Sequence, residues 1–535
     1  MSAKNQVAPV ESGTAASTTN GGKSTANTAG KSSNGAATSA TTSKLGATTS
    51  FTTSSWLSAN TTMVAVVGGV VGGCLLIALI VTLAVVLSSG DNFPDSFNYT
   101  EVLHKSLLFY EAQRSGELPP DNRIPYRGDS ALNDSGRKGE DLTGGYYDAG
   151  DHMKAVLPMA WSMGVLSWGF LEFRDSYEDA NEVRYMLDCI KWGTDYILKS
   201  HTGDYEFYTQ VADKDLDHGY WGRPEDMTMD RPAYPVNTTV PGSDAAGDSA
   251  AALAAASIIF REHDPEYSER LLKHAKELFE FADNYRGYYR DCLPEGKGIY
   301  ISNSNYHDEI GWASIWLYRA TGENWYLNRT EEIYHNMTGG RPYAFGWSIV
   351  DSGVHMLLYN ETGDTEYSKR VTRFVDEWLP GGRVKQTDKG LTFRDGWGSL
   401  RYATATAFIA LVAAENNLNV EEYREYAKSQ VHYALGRTGR SFVCGFGVNP
   451  PVQPHHRSSS CPYPPDPCTY GLTFNVNQPN AHVLYGAMVG GPDENDDYVD
   501  NRKDYYKNEV TLDYNAGFQS AVAGLRHIEL KGQLP

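Results

Sequence analysis

The chain has 535 residues, of which 46 are Lys or Arg and 66 are Asp or Glu, so its formal charge is -20. This length excludes a small disulfide-stapled scaffold and leaves room for a large core. The negative charge repels polyanions and excludes nucleic acid and acidic polysaccharides as partners. Aromatic residues make up 12% of the chain, a surplus that favours stacking surfaces for a neutral ligand.

The N-terminal region predicts a tail followed by a membrane anchor. Residues 1–62 consist almost wholly of Ser, Thr, Ala, Gly and Asn, a composition typical of disorder. Residues 63–87 are an uncharged apolar run long enough to cross a bilayer as one helix. Lysines precede the run and Asp91 and Asp95 follow it, which predicts a single-pass type II protein with an extracellular or luminal catalytic domain. The alternative, a cleaved signal peptide, would start nearer the N-terminus and have a shorter apolar stretch.

The predicted span contains two overlapping pairs of glycines at small-xxx-small spacing, which would let two such helices pack together as a homodimer. Small residues are also common in spans that do not dimerise, and that alternative stays open. The pairs are Gly68/Gly72 and Gly69/Gly73. A short linker, 88–96, leads to residues 97–535, which no composition break divides and which we therefore expect to form one domain.

Features after the span fit an oxidising compartment. Cys461 and Cys468 bracket a Pro-rich loop and are the favoured disulfide, with Cys444 as a competing partner. N-x-S/T sequons agree with glycosylation outside the cytosol. They are found at Asn98, Asn133, Asn237, Asn328, Asn336 and Asn360.

Helical periodicity dominates the domain, and strand alternation is scarce. Segments such as 249–260 and 399–415 are almost entirely apolar, as expected of inner helices, whereas 265–285 has a charged face typical of an outer helix. Their alternation predicts an all-α fold, an (α/α)6 barrel, although a plain helical array shows the same periodicity. The predicted helices are 101–113, 154–173, 182–199, 244–262, 265–284, 308–321, 324–336, 346–360, 364–378, 399–415, 420–435 and 512–527.

Two carboxyl centres stand out. In GGYYDAGD, Asp148 and Asp151 are three residues apart, a spacing that can direct both carboxylates at one water, although such a segment can also be an ordinary turn with a helix cap. Glu509 lies among tyrosines ahead of a terminal apolar helix, where partial desolvation raises a carboxyl pKa and favours proton donation. Its alternative is a solvated glutamate at a helix start. An acid and a base of this kind are what glycosidic hydrolysis requires.

Several motifs, in order, resemble glycoside hydrolase family 9, the inverting endoglucanases. The Glu509 segment matches the family signature at each expected position from Asp500 to Ala516. The other matching motifs are RIPYRGDSAL (123–132), GGYYDAGD (144–151), WGRPEDM (221–227), PGSDAAGDSAAALAAAS (241–257), YHDEIGWASIWLYRAT (306–321), GWGSLRYA (396–403), PHHR (454–457) and PNAHVLYGAMVGGPD (479–493).

The resemblance implies roles for individual residues. Asp151 would be the general base, Asp148 would help to hold the attacking water, and Glu509 would be the general acid. In an inverting enzyme the two carboxyls stand roughly 6.5 to 9.5 Å apart. The substrate, a β-1,4-glucan, would contact further residues, of which Trp221 is equally well interpreted as a buried structural residue. These are His455, Arg457, Arg401, Trp397, Tyr514, Trp221, His218 and Tyr300.

The reaction needs no cofactor, but the family often binds a structural calcium ion. The corresponding segment here contributes the carboxylates of Asp308 and Glu309, with carbonyls of Ser304 and Asn305. An equally good alternative is that the two acids cap a helix start. Where the family commonly has Trp-Asp-Asp, this chain has Trp-Ser-Ile at 347–349, so a distant ligand is missing unless Asp351 replaces it.

These observations favour an endo-1,4-β-glucanase. Two alternatives remain. One is a glucan-binding scaffold that kept the fold and lost turnover, for which the altered 347–349 segment is the hint. The other is a related toroid hydrolase of different specificity, such as a xyloglucanase or an exo-acting glucosaminidase.

Overall fold

The computed structural model covers most of the chain after the predicted anchor. The predicted tail (1–62) and span (63–87), with the linker as far as residue 95, lie outside the described residues. Among the helices of the described part, none is both long and apolar enough to cross a bilayer. The described residues are 96–302, 305–335, 337 and 342–535.

Helices of at least 11 residues dominate the described ranges, where there are twelve of them. In chain order they are α1 (Tyr99–Ala112), α2 (Val156–Glu172), α3 (Val183–Ser200), α4 (Ser243–Phe260), α5 (Pro265–Asn284), α6 (His307–Thr321), α7 (Asn324–Tyr334), α8 (Asp351–Thr362), α9 (Thr365–Asp376), α10 (Ser399–Glu415), α11 (Val420–Leu435) and α12 (Leu512–Leu530). Shorter helical segments are Arg174–Asp179, Lys214–His218, Pro224–Asp226, Tyr289–Cys292, Arg457–Ser460, Tyr470–Phe474 and Tyr505–Asn508.

The even-numbered helices form a closed inner ring. Each packs against the next around the ring, and α12 closes it by packing against α2. Each inner helix also packs against the outer helix that follows it in the chain, with α12 against α1. Inner and outer helices thus alternate through the domain as in an (α/α)6 barrel, which confirms the helix-rich architecture that the periodicity predicted.

The two layers differ in burial because their sequences differ. Along the Ala-rich α4, every residue except Ile258 is buried, which suits a helix enclosed by neighbours on all sides. On the outer α9, burial follows one stripe of four residues, and the other positions are partly or fully exposed. Aromatic rings fill the middle of the ring, where Trp168 lies 5.5 Å from Trp312 and 5.0 Å from Phe408 between ring centroids.

Short antiparallel strands connect the helices near the Asp148–Asp151 loop. The central strand β3 pairs with β1, β2 and β4, and a separate pair joins β5 to β6. Because β1 follows the loop directly and leads into α2, the sheet fixes the loop to the inner ring. The strands are β1 (Lys154–Ala155), β2 (His201–Gly203), β3 (Glu206–Val211), β4 (Ala233–Asn237), β5 (Lys385–Gln386) and β6 (Thr392–Phe393).

One predicted helix begins later than expected. The segment 346–360 was predicted to be helical throughout, but α8 starts only at Asp351. Gly346 and Ile349 exchange two backbone hydrogen bonds of 3.0 Å, so a tight turn precedes the helix. Trp347 in this turn packs against the core, which explains why the apolar pattern extends beyond the helix itself.

Candidate active site

The Asp148–Asp151 loop packs against the segment His455–Arg457. The backbone N–H of Arg457 donates to the carbonyl of Gly150 over 2.9 Å. A β-carbon on Gly150 would overlap the carbonyl oxygen of His455, so this close approach requires glycine. At the other side of the loop, the N–H of Leu512 donates to the carbonyl of Asp148 over 3.0 Å. Two segments that are distant in sequence therefore fix the position of both aspartates.

Asp151 is held as an anion. Its Oδ1 accepts the backbone N–H of Met153 over 3.1 Å, and its Oδ2 accepts Nε2–H of His218 over 3.1 Å. Burial acts to raise the pKa of Asp151, but the hydrogen bond and charge of His218, together with the charge of Arg457, outweigh it and lower that pKa below its ordinary value. An ionised carboxylate is the form that can accept a proton from water.

Asp148 is more deeply buried than Asp151, and its pKa is shifted in the opposite direction. Its Oδ2 accepts the hydroxyl of Tyr300 over 2.6 Å, and its Oδ1 is buried without a protein partner among the described residues. Burial, and then repulsion by Asp151, raise the pKa of Asp148 well above its ordinary value. The ring of Trp347 stands at right angles to that of Tyr300, 4.9 Å away between centroids. Tyr300 therefore supports Asp148 directly.

Glu509 enters the site from the segment before α12. Its backbone bridges to that of His455, since the N–H of His455 donates to the carbonyl of Asn508 over 2.8 Å. Burial, and then the negative charge of Asp151, raise the pKa of Glu509 to about 8. At neutral pH this carboxyl is therefore mostly protonated, whereas Asp151 is ionised.

Asp217 belongs to the same charge cluster and was missed by the sequence reasoning. It is fully buried, and its Oδ2 accepts Nη1–H of Arg457 over 2.5 Å. Its Oδ1 accepts the backbone N–H of His152 over 3.2 Å. Asp217 thus holds Arg457 in place beside Asp151. The neighbouring His218 was singled out, but nothing local in the sequence links Asp217 to Arg457, 240 positions away.

His455 and Trp221 form one wall of the site. Nδ1–H of His455 donates to the carbonyl of Arg502 over 2.6 Å, which leaves Nε2 as the acceptor because burial lowers the pKa of this imidazole to about 4. The indole of Trp221 lies 5.3 Å from the His455 ring, and its N–H donates to Ser460 Oγ over 3.0 Å. Trp221 is almost fully buried, so the structure places it behind the cleft surface.

The remaining predicted substrate residues belong to, or contact, the chain on either side of Glu509. Trp397 is 41% exposed and packs at a tilt against Tyr505 and Tyr506, with centroid distances of 5.6 and 4.5 Å. Arg401 lies over the ring of Tyr514, and its Nη1–H donates to Asp513 over 3.4 Å. Part of the Trp397 ring is therefore open to solvent, whereas the guanidinium of Arg401 already donates hydrogen bonds to protein groups.

Comparison of the sequence with protein-family models matches residues 99–522 to glycosyl hydrolase family 9. The chain belongs to this family. Endoglucanase A of Bacillus pumilus is 45% identical over 455 residues, which are 82% of this chain and 68% of that protein. An endoglucanase of Dictyostelium discoideum is 41% identical over 443 residues, which are 80% of this chain and 61% of that protein. The family predicted from the motifs is confirmed.

Solved structures of family 9 proteins have the same fold. The endoglucanase of the termite Nasutitermes takasagoensis, determined at pH 2.5, is 52% identical with a TM-score of 0.79, and the match covers 81% of this chain and 100% of that one. A cellulase of C. cellulolyticum in complex with cellobiose is 32% identical with a TM-score of 0.74, covering 81% of this chain and 99% of that one.

A disulfide closes the Pro-rich loop beside this family 9 site. Cys461 is bonded to Cys468, as predicted, and Cys444 is a buried free thiol. Nε–H of Arg223 donates to the carbonyl of Pro462 within the loop over 2.9 Å. The loop follows the short helix that begins at Arg457, so the crosslink lies next to the cleft wall.

The predicted calcium residues lie in a separate, buried acidic cluster. Asp308 and Glu309 in the first turn of α6 are fully buried, Asn305 precedes them, and Ser304 lies outside the described residues. Asp248 on α4 is also fully buried, and in the described part of the chain neither of its carboxylate oxygens has a hydrogen-bond partner. Burial, and then the neighbouring carboxylates, raise the pKa of Asp248, Asp308 and Glu309 well above their ordinary values. Unpartnered hard oxygens of this kind fit Ca²⁺.

Proposed function

We propose that the chain is an endo-1,4-β-glucanase that hydrolyses internal bonds of cellulose-like glucans with inversion of configuration. The relatives named above are called endoglucanases, and this family membership supports the same activity here. The observation that carries the proposal is the opposite pKa shift of two carboxyls in one site, lowered for Asp151 and raised to about 8 for Glu509. This pair supplies a base and an acid at the same pH.

The proposed reaction follows from these protonation states. Glu509 donates its proton to the glycosidic oxygen as the bond to the anomeric carbon breaks. A water on the opposite face of the sugar attacks that carbon, and Asp151 accepts the proton that the water loses. Asp148, held by Tyr300, accepts or donates a second hydrogen bond that orients the water. Inversion requires space for this water between the acid and the base.

The test is proton NMR of cellopentaose hydrolysis by the full-length protein beside Glu509→Gln and Asp151→Asn. We expect the α-anomer to appear first and both variants to lose about 100-fold or more in kcat, as is typical for removal of a general acid or base. Glu494→Gln, an exposed surface glutamate paired with Lys385, is the matched control and should retain activity. Initial release of the β-anomer would contradict inversion. Binding of cellopentaose without cleavage would contradict the enzyme proposal and favour a scaffold.

We further propose that the buried acidic cluster binds a structural Ca²⁺. Asp308, Glu309 and Asp248 would hold it with their carboxylates, and Asp351 in the first turn of α8 supplies the acid that the Trp-Ser-Ile segment lacks. The crowding of buried carboxyls supports this assignment, because burial, and then the charge of Asp351, raise the pKa of Asp308. When bound, the ion would neutralise these carboxylates and join α4, α6 and α8. It takes no part in the glycosidic step.

Residues 63–87 are proposed to anchor the protein in a membrane as a type II span, with the family 9 domain extracellular or luminal. Accessible sequons support this topology, since Asn98, Asn133, Asn328 and Asn360 are all exposed. An alkaline wash should release the variant that lacks residues 63–87 from membranes. Treatment of the full-length protein with a glycosidase should change its electrophoretic mobility. Retention of the deletion variant in the membrane fraction would contradict the anchor.

The same span is proposed to form a homodimer through its two glycine pairs. Replacing Gly68 and Gly72 by Leu should reduce the self-association of the full-length chain in a crosslinking experiment. A matched control is Ala78→Leu, which adds similar bulk outside the glycine pairs. Equal crosslinking of all three proteins would contradict the glycine interface.

A further inference from the structure

Three side chains that can act as metal ligands lie close together in the outer layer of the barrel, outside the candidate active site. His201 is the first residue of β2, directly after α3, and His274 and Glu277 lie one turn apart on α5. Nδ1 of His201 is 2.8 Å from Nδ1 of His274. Oε2 of Glu277 is 4.0 Å from the first of these nitrogens and 3.8 Å from the second. The carboxylate is thus too far from either ring for a normal hydrogen bond.

These three atoms have the spacing of ligands around one ion. In a triangle with sides of 2.8, 3.8 and 4.0 Å, the point equidistant from the corners lies about 2.1 Å from each. That distance is the usual one for Zn²⁺ bound to imidazole nitrogen or carboxylate oxygen. A set of two His and one Glu, with a water as the fourth ligand, is an established zinc geometry.

Charged side chains of both signs surround the three proposed ligands. Of the charges near the group, Lys273 and Arg270 oppose a cation, whereas Glu277 and Asp204 favour it.

An ion can reach this group from solvent. His274 lines a cavity of about 630 Å³ on the outside of the barrel, together with Trp192, Lys199 and Arg270. The side chain of His274 is 23% exposed and that of Glu277 is 27% exposed, whereas that of His201 is only 2% exposed. The cavity therefore gives solvent access to the group at His274, and Glu277 is itself partly exposed.

We propose that His201, His274 and Glu277 form a Zn²⁺ site that clamps the start of β2 to α5. The bound ion would join the strand that follows one outer helix to the middle of the next outer helix. Its role is structural, because none of its ligands belongs to the candidate active site. The alternative is an ordinary hydrogen bond between two imidazoles with a nearby carboxylate and no metal.

The test is calorimetric titration of the chelator-treated full-length protein with Zn²⁺, beside His274→Asn and Glu277→Gln. These two positions are partly exposed and therefore tolerate substitution better than the buried His201. We expect one equivalent of Zn²⁺ to bind the wild type with a rise in Tm, and each variant to lose at least about tenfold in affinity, as is usual for loss of a ligand or its support. Substituted Co²⁺ should give the visible absorption of a protein-bound ion in the wild type only.

Controls separate this site from other places where Zn²⁺ could bind. His263→Asn and Glu269→Gln change exposed residues before and within α5 and should bind Zn²⁺ like the wild type. His218→Asn removes the other candidate ligand group, formed by Asp151, Asp217 and His218 in the active site, and should also retain this binding. Unchanged Zn²⁺ affinity in His274→Asn and Glu277→Gln would overturn the proposal. So would the absence of Zn²⁺ binding to the wild type, or its loss in His218→Asn alone.

Discussion

Asp151 and Glu509 are two carboxyls in one site whose pKa values shift in opposite directions, and the difference comes from their immediate partners. Asp151 receives a hydrogen bond from His218 and lies near Arg457, so its anion is stabilised despite burial. At Glu509 burial dominates, and the negative charge of Asp151 adds to it. The ionised Asp151 thus helps to keep Glu509 protonated. The tyrosines around Glu509 in the sequence indicated its raised pKa, whereas nothing local indicated that His218 and Arg457 would lower the pKa of Asp151.

The pKa of Glu509 predicts the alkaline limb of the pH profile. Because a general acid must be protonated, kcat/KM should fall tenfold per pH unit once the pH exceeds the pKa of about 8. The measurement is the initial rate on cellopentaose from pH 4 to pH 10. An alkaline limb near pH 4.5, the ordinary value for glutamate, would contradict the role of Glu509 as the acid.

His218 predicts the position of the acidic limb. In His218→Asn the anion of Asp151 loses a hydrogen bond and a positive neighbour, so the pKa of Asp151 should rise. The acidic limb of kcat/KM should move to higher pH by the same amount, with the alkaline limb little changed. His335→Asn, an exposed histidine, is the control. An equal loss of rate at every pH would instead indicate a purely structural role for His218.

At the scale of elements, glycines set how closely inner helices approach. A β-carbon on Gly517 of α12 would lie 2.8 Å from the Cα and Cβ atoms of Ala405 on α10, which is too close. On α2, by contrast, a β-carbon on Gly164 would meet Ala252 at 3.8 Å, an ordinary contact distance. The same substitution should therefore have opposite effects at these two buried helix positions.

We expect Gly517→Ala to destabilise the protein by about 1 to 3 kcal/mol, the usual cost of overpacking a core. Gly164→Ala should be neutral or stabilising by up to about 1 kcal/mol, because alanine has the higher helix propensity. Thermal or chemical unfolding of both variants beside the wild type measures the difference. Equal stability of the two variants would contradict the interpretation that α10 and α12 are in tighter contact than α2 and α4.

The sequence predicted elements better than it predicted contacts between them. The outer helices showed a periodic apolar pattern and the inner helices a nearly continuous apolar run. Both patterns are local, because they reflect burial on one face or on all faces of a single helix. The sequence did not predict the late start of α8. Trp347 extends the apolar pattern because it packs against the core, although it lies in a turn before the helix. Asp217 and the pair His201 and His274 were also missed. Asp217 is 240 positions from Arg457, and His201 is 73 positions from His274. No local spacing in the sequence marks pairs that are so far apart.

At the scale of the whole molecule, the buried acidic cluster predicts dependence on Ca²⁺. Removing the ion with a chelator should lower Tm, and restoring it at 1,000 times its Kd should add about 4 kcal/mol of stability. Glu309→Gln should lose most of this response, because one fully buried ligand is gone. The control Glu269→Gln, on the exposed face of α5, should keep it. An unchanged Tm after chelation of the wild type would contradict the calcium proposal.

The closed ring also has a consequence for biosynthesis. The helix that closes the barrel, α12, comes directly after the segment carrying Glu509, whereas Asp148 and Asp151 precede α2. A growing polypeptide on the ribosome can therefore neither close the ring nor contain Glu509 until this last stretch has been made. A nascent chain stalled before that point lacks both the complete barrel and the carboxyl proposed as the general acid, so we expect it to be catalytically silent.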